Sequence, residues 1–226
     1  MSRRISLAVL IALLAGCSTS TLPPSEGAAI PVPAGEPPTL DGTLAPGEWD
    51  GAAVEAFADG SELFLMASGG ALYLGVRRGE PGTTGANVFV DRGGQVAILH
   101  TSAALGTAVY EREGDMWQQI QDFDWRCRRT DDSAAAQAER DAFLQEEGWM
   151  AANARTGTPN ELEYRITVPD GTLRLAVVLI PASAPDAKTP WPTDLADDSV
   201  APTPGGMPTQ MAFSLEQWAT VVLPTQ

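Results

Sequence analysis

The stretch PTLDGTLAPGEWDGA, residues 38–52, decides the fold that this sequence predicts. An Asp-Gly pair at 41–42 and a Pro-Gly pair at 46–47 are turn signals that reverse the backbone and bring in Trp49. About twenty residues later, ALYLGV at 71–76 alternates in the manner of a strand. Its apolar residues share one face. The order is turn, tryptophan, then strand, which favours β-structure from the start of the domain.

The rest of the chain predicts an all-β, antiparallel sandwich of the jelly-roll or immunoglobulin-like kind. Short apolar runs alternate with Gly-, Pro- and Asp-containing turns, and there is no strand–helix–strand repeat. One segment, 133–147, is rich in alanine, with Asp132 or Ser133 as a helix N-cap and Gly148 as its end. Residues 182–207 predict a long irregular loop around Trp191. The predicted strands are 63–67, 72–77, 86–90, 96–100, 107–111, 117–121, 149–154, 161–168, 174–180 and 220–223.

The N-terminus predicts export and lipidation. Arg3 and Arg4 precede a ten-residue apolar run, too short to span a bilayer, and the run ends in Leu-Ala-Gly-Cys17. This end resembles a bacterial lipobox, which implies a signal peptide at 1–16 and a lipid (palmitate) on Cys17. The resemblance also implies sorting to the outer membrane, since residue 18 is Ser, if the source has one. Residues 17–37 then read as a Pro-, Ser-, Gly- and Ala-rich stalk and 38–226 as the folded domain.

The turn–Trp–strand order resembles the opening of family 9 carbohydrate-binding modules and the related DOMON-like sandwiches. Asn87-Val88-Phe89-Val90-Asp91 and Tyr164-Arg165-Ile166-Thr167-Val168-Pro169 extend the resemblance. It implies a β-sandwich with Trp49 in the core. It also implies a sugar held between two tryptophans, neither of which can be aligned by motif.

Composition excludes several functions. The formal charge of −15 becomes −17 once a signal peptide with two arginines and no acid is removed, and such a domain repels nucleic acid. The single histidine, His100, lies on a predicted strand and shares a face with Val96 and Ile98. The chain contains no Gly-x-Ser-x-Gly nucleophile elbow, so hydrolysis by a Ser-His-Asp triad is disfavoured. One histidine and two cysteines make a zinc site remote. With Cys17 lipidated, Cys127 has no internal partner and reads as a buried small residue or a reactive thiol. We therefore expect a protein that is not an enzyme.

The chemical type of a side chain predicts which ligand it could bind. Flat aromatic rings suit the C–H faces of sugars, so Trp117, Trp125, Trp149 and Trp191 are candidates, each with packing in the core as its alternative. Trp218 reads as core. Calcium takes carboxylate oxygens in loops, and its candidate ligands are Asp194, Asp197, Asp198 and Asp91, with plain solvated acids as the alternative.

Two other functions stay open. The same sandwich suits a structural or partner-binding lipoprotein. A DOMON-like haem domain would need axial ligands such as His100 with Met66, Met207 or Met211. The sequence thus predicts a membrane-tethered module that binds glycan and no nucleic acid.

Overall fold

The computed structural model describes residues 29–127, 133–153, 160–200 and 207–225, with the side chain of Cys127 left aside. Two short 3-10 turns, Asp198–Val200 and Leu215–Gln217, accompany the regular elements. These elements are β1 (Ala29–Pro31), β2 (Ala53–Ala56), β3 (Glu62–Ser68), β4 (Ala71–Arg77), β5 (Thr84–Asp91), β6 (Gln95–Thr101), β7 (Ala104–Glu113), β8 (Met116–Gln121), β9 (Arg126–Cys127), α1 (Ala134–Glu147), β10 (Trp149–Asn153), β11 (Glu161–Thr167), β12 (Thr172–Pro181), β13 (Thr189–Trp191), β14 (Gln210–Met211) and β15 (Ala219–Val222).

Within the described residues the strands form two sheets, which confirms the predicted all-β sandwich with one helix. Sheet A has the order β1-β15-β12-β5-β6-β7-β8-β14, with β13 beside β12 and β9 beside β7. Sheet B has the order β10-β11-β4-β3-β2. All pairings are antiparallel except that of β1 with β15. The predicted strands agree with the observed ones to within three residues at each end.

The helix also begins and ends as its caps predict. The Ser133 hydroxyl accepts the backbone N–H of Ala136 at 3.1 Å. Gly148 adopts the left-handed conformation (φ 72°) and its N–H bonds to the carbonyl of Leu144. A residue with a Cβ is disfavoured at such an end, whereas glycine is not.

The main core lies between the sheets. Leu72, Leu74 and Val76 of β4 point into it, as their alternation predicts, and pack against the inward residues of β5 and β12. Trp149 is completely buried here and its indole N–H donates to the Thr107 hydroxyl at 2.9 Å. A buried indole N–H needs such a partner.

Chain segments pack on the outer faces of both sheets, and each forms a further small core there. Residues 38–52 lie over sheet B, where Trp49 and Leu44 pack on β4. Gly75 permits this packing, since a Cβ there would stand 3.2 Å from the Trp49 ring. On sheet A, segment 195–218 covers Phe89, Ile98 and Tyr110 with Phe213 and Trp218. Trp49 and Trp218 are therefore core residues, as predicted.

Two sequence boundaries differ from the structure. The first described strand begins at Ala29, nine residues before the predicted start of the domain at 38, because β1 pairs with β15 and Val32 is buried. The segment predicted as an irregular loop at 182–207 contains β13, which pairs with β12 and buries Trp191. Both strands have only three residues, too few to show a period.

Candidate functional site

The six tryptophans all lie in the described part of the chain, and one of them is exposed. Trp117, Trp149 and Trp191 have 3%, 0% and 3% of their surface exposed. Trp149 and Trp191 pack in the main core between the sheets, and Trp117 packs in the small core outside sheet A. In this structure their rings offer no face to a ligand, which corrects their prediction as sugar-binding residues. Trp125 is 53% exposed. It is the one predicted aromatic ligand that reaches solvent.

The predicted calcium ligands are used within the protein. The Asp197 carboxylate accepts the N–H of Ser214 at 2.9 Å and the indole N–H of Trp218 at 3.0 Å, and it bonds to Ser199. Asp198 accepts the N–H of Ala212 at 2.7 Å. Asp194 is exposed, and Asp91 faces Arg174 at 3.8 Å. Among the described residues no group of three or more His, Cys, Asp or Glu could hold a metal ion.

Strand register builds the surface around Trp125. On the outer face of sheet A, Asn87 of β5 lies opposite His100 of β6, and His100 lies opposite Gly106 of β7. The edge next to β7 is made of two pieces, β8 and β9, and residues 122–125 connect them. Phe123 and Trp125 are two residues apart and lie over Gly106. We call Asn87, His100, Phe123 and Trp125 the aromatic platform.

Contacts within the platform are close. The Phe123 and Trp125 rings stack with centroids 4.5 Å apart and planes at 28°. His100 meets the Trp125 ring edge-on at 5.1 Å and Phe123 at 5.8 Å. Gly106 makes room for them, since a Cβ there would stand 2.9 Å from the Trp125 ring and 3.0 Å from Phe123. These contacts fix the Trp125 ring, and 53% of the residue remains exposed.

His100 supplies a polar atom of known character. Its Nδ1 lies 2.7 Å from the amide oxygen of Asn87, which is an acceptor, so Nδ1 carries the proton. Nε2 is then the lone-pair acceptor. Burial lowers the pKa of His100 to about 4, because the charged form is disfavoured away from water. The imidazole is neutral at pH 7.

The rim of the platform is acidic. Asp122 and Asp124 adjoin the two stacked rings and both are exposed. The nearest cation, Arg126, donates to Glu146 at 2.7 and 3.0 Å and also faces Glu147 and Asp124. These hydrogen bonds and charges raise the pKa of the guanidinium above its usual range. The Arg126 charge is therefore already engaged by carboxylates.

A second polar centre holds the N-terminal segment. Glu163 of β11 is fully buried, and one carboxylate oxygen accepts the N–H groups of Asp41 and Gly42 at 3.0 and 2.7 Å. Glu161 accepts the N–H of Leu44 at 2.9 Å and Arg77 at 2.8 Å. These contacts attach the segment that decides the fold. Their partners are main-chain N–H groups and the Arg77 side chain, so the centre is structural.

Burial raises the pKa of Glu163 to about 7, against the opposing effect of the N–H groups of Gly42 and Asp41. The Asp41 charge raises the pKa further, and the Trp49 indole opposes it. Within the described residues, neither the Trp49 N–H nor the second Glu163 oxygen completes a hydrogen bond of good geometry.

A cleft of about 690 Å³ opens between the C-terminal end of α1, the β5–β6 turn and the β11–β12 turn. Its walls are threonines, aliphatic residues and charged groups, and no aromatic ring is among the described residues that line it. Several of these charges already have partners: Glu146 with Arg126, Glu147 with Thr107 and Asp91 with Arg174. A sugar ring would find no stacking surface here.

The residues of the haem alternative lie in different places. His100 belongs to the platform on sheet A, whereas Met66 packs with Trp49 outside sheet B. Met211 and Met207 pack in the core under segment 195–218. The fold does not bring together Met66 and His100, which the haem alternative offered as a pair of axial ligands.

The sequence analysis did not single out three residues that build this surface: the platform residues Asn87 and Phe123, and Gly106 beneath the rings. Each carries a usable signal. Phe123 stands two residues before Trp125, Gly106 is a glycine inside a strand, and Asn87 is polar in an otherwise apolar run. What the sequence lacks is the register that places them side by side.

Cys17, the predicted signal peptide and the first part of the stalk lie outside the described residues. No described helix has the length and apolar character needed to cross a membrane. No protein-family model, curated protein or solved structure matches this chain.

Proposed function

We propose that this protein is a lipid-anchored, non-catalytic module of the cell envelope that binds glycan through the aromatic platform. The lipid is attached to Cys17 and the domain stands away from the membrane on the short stalk. The observation that carries the proposal is the stacked Phe123–Trp125 pair, exposed on a rigid sheet beside a neutral His100.

The physical basis is the match between an exposed indole face and the axial C–H groups of a pyranose ring. Such contacts remove apolar surface from water, and neighbouring polar groups fix the orientation of hydroxyls. Here Phe123 and Gly106 hold the Trp125 ring in place, so little side-chain entropy is lost on binding. In this proposal the Nε2 atom of His100 accepts a hydrogen bond from a sugar hydroxyl beside the ring.

The resemblance to family 9 carbohydrate-binding modules points to the same ligand class, with one departure. A clamp of two tryptophans is replaced by one exposed tryptophan backed by a phenylalanine. One open face favours the surface of a polysaccharide chain over an enclosed terminal sugar.

The test is a glycan array with residues 29–226, followed by titration of the best ligand while tryptophan fluorescence is recorded. Replacement of Trp125 by Ala is expected to lower affinity at least tenfold, since stacking on one ring contributes on the order of 1–3 kcal/mol. The matched control is Ile120→Ala, which removes an apolar side chain that is also 53% exposed, from the neighbouring β8. It is expected to bind as the unmodified domain does.

No binding on the array, or equal loss in both variants, would contradict the proposal. In that case a protein partner of the lipoprotein becomes the better interpretation of an exposed tryptophan.

A further inference from the structure

We propose that the platform selects glycans that carry protonated amines, such as chains of deacetylated amino sugars, over acidic glycans and over the same chains in acetylated form. This inference rests on the proposed glycan binding and adds the charge of the ligand.

The first support is the local charge balance. Asp122 and Asp124 adjoin Phe123 and Trp125 in the chain, where consecutive Cα atoms are about 3.8 Å apart. Exposed charges act through solvent over about one Debye length, ~8 Å at physiological salt, so carboxylates on residues next to the stacked rings contribute to the potential at the platform. Both are exposed, and the Arg126 that faces Asp124 at 3.7 Å is shared with Glu146 and Glu147. Among the described residues, one guanidinium thus stands beside the carboxylates of Asp122, Asp124, Glu146 and Glu147.

The second support is the absence of a competing positive charge within the platform itself. The pKa of His100 is lowered by burial, so its imidazole is neutral in the range where glycan amines are protonated. The Asp122 charge also acts beyond the rim, since it adds to burial in raising the pKa of Tyr110 on β7. Among the described residues the cation at the rim, Arg126, is already engaged by carboxylates, so the described charges around the rings are negative on balance.

The third support is the ring itself. The exposed face of an indole attracts cations through its quadrupole, most strongly among aromatic side chains. A protonated amine on a sugar stacked there gains this attraction together with that of the rim. A carboxylate on the sugar is repelled by both, and an acetamide gains neither.

The experiment compares three hexasaccharides by calorimetry at pH 5.5 and 20 mM salt: glucosamine, N-acetylglucosamine and galacturonic acid. We expect the amine form to bind about tenfold more tightly than the acetylated form and the acidic form to show no binding. At 0.5 M salt the preference is expected to fall to about twofold, since exposed charges are screened.

The variant Asp122→Asn with Asp124→Asn keeps shape and hydrogen-bond acceptors but removes two charges. It is expected to lower affinity for the amine form about fivefold at low salt and to leave the acetylated form unchanged. The control Glu36→Gln with Asp50→Asn removes the same charge from the segment outside sheet B, and should leave both affinities unchanged.

The outcomes separate the two proposals. Glycan binding without preference for the amine, or an equal effect of both double variants, overturns the charge selectivity and leaves glycan binding standing. If a neutral glycan from the array binds and neither the glucosamine nor the N-acetylglucosamine hexasaccharide does, the charge selectivity is likewise overturned and glycan binding stands. Absence of any glycan binding overturns both.

Discussion

Glu163 shows how a single residue ties the opening stretch of the chain to the fold. A carboxylate without exposed surface loses its hydration, and two main-chain N–H groups replace only part of it. The proton is therefore retained to about pH 7 in the folded state, compared with about 4.5 when the chain is unfolded. Between these two values the folded state binds more protons than the unfolded one, so stability falls as pH rises.

We expect the replacement Glu163→Gln to remove this dependence. The neutral side chain can still accept the N–H groups of Asp41 and Gly42 through its amide oxygen. Relative to the unmodified protein, the variant should gain up to about 3 kcal/mol between pH 4.5 and pH 8. That corresponds to a relative increase in Tm of roughly 6 °C, measured by circular dichroism at pH 5 and pH 8.

The comparison must be a difference between proteins at each pH, because His100 acts in the opposite direction. Its lowered pKa makes stability rise with pH between about 4 and 6.5. Glu216→Gln removes an exposed carboxylate and serves as the control. A Tm difference for Glu163→Gln that stays constant with pH would contradict the role assigned to this residue.

At the scale of elements, the described parts of segment 195–218 contain only β14 and two short 3-10 turns, and they cover Phe89, Ile98 and Tyr110 of sheet A. The segment holds its shape because Asp197 binds both of its ends: the turn at Ser199 on one side, and Ser214 with Trp218 on the other. Asp198 adds a bond to Ala212. Hydrogen bonds to the Asp197 and Asp198 carboxylates hold this loop in place, as main-chain hydrogen bonds hold a strand in a sheet.

Replacement of Asp197 by Ala is expected to destabilise the protein by about 3 kcal/mol. The variant leaves the buried Trp218 N–H and two main-chain donors without an acceptor, and hydrogen bonds to charged groups contribute about 1.5–3 kcal/mol. Urea unfolding measures the change. Asp194→Ala, an exposed acid in the same segment, should stay within about 0.5 kcal/mol. Similar values for the two variants would show that Asp197 does not hold the segment.

The elements that sequence could predict are those with a repeating signal. Ten strands could be predicted as short apolar or alternating runs between turn signals, and the caps of α1 could be predicted from Ser133 and Gly148. Strands β1 and β13 have three residues and are specified by their neighbours, not by their own pattern. The same limit applies to the tryptophans, since Trp125 and Trp191 both stand in polar or rigid surroundings. Only the pairing of β13 with β12 buries one of them, and no local signal reports that pairing.

At the scale of the whole molecule, the first and last described strands pair with each other at one edge of sheet A. Strand β1 is the edge of sheet A and pairs in parallel with β15, close to the C-terminus. The Val32 N–H donates to the carbonyl of Val222 at 2.9 Å, and the Val32 side chain enters the main core. The proposed tether would therefore join the domain through a strand, and the aromatic platform lies on the outer face of the same sheet.

This arrangement predicts where the chain can be shortened. A fragment that begins at Ala29 is expected to be as stable as one that begins at Ser18, because it keeps β1, the first strand that the structure describes. A fragment that begins at Pro33 loses three parallel pairings and a buried valine. We expect it to be destabilised by about 2–4 kcal/mol, from the apolar surface of Val32 and the lost hydrogen bonds.

Urea unfolding of the three fragments, followed by tryptophan fluorescence, measures the difference. The fragment from Ser18 is the reference, and all three keep the same C-terminus. Equal midpoints for the fragments from Ala29 and Pro33 would show that β1 contributes nothing and would return its residues to the stalk. A loss confined to the shorter fragment places the junction between tether and domain at Ala29, because only that fragment lacks the strand that closes sheet A.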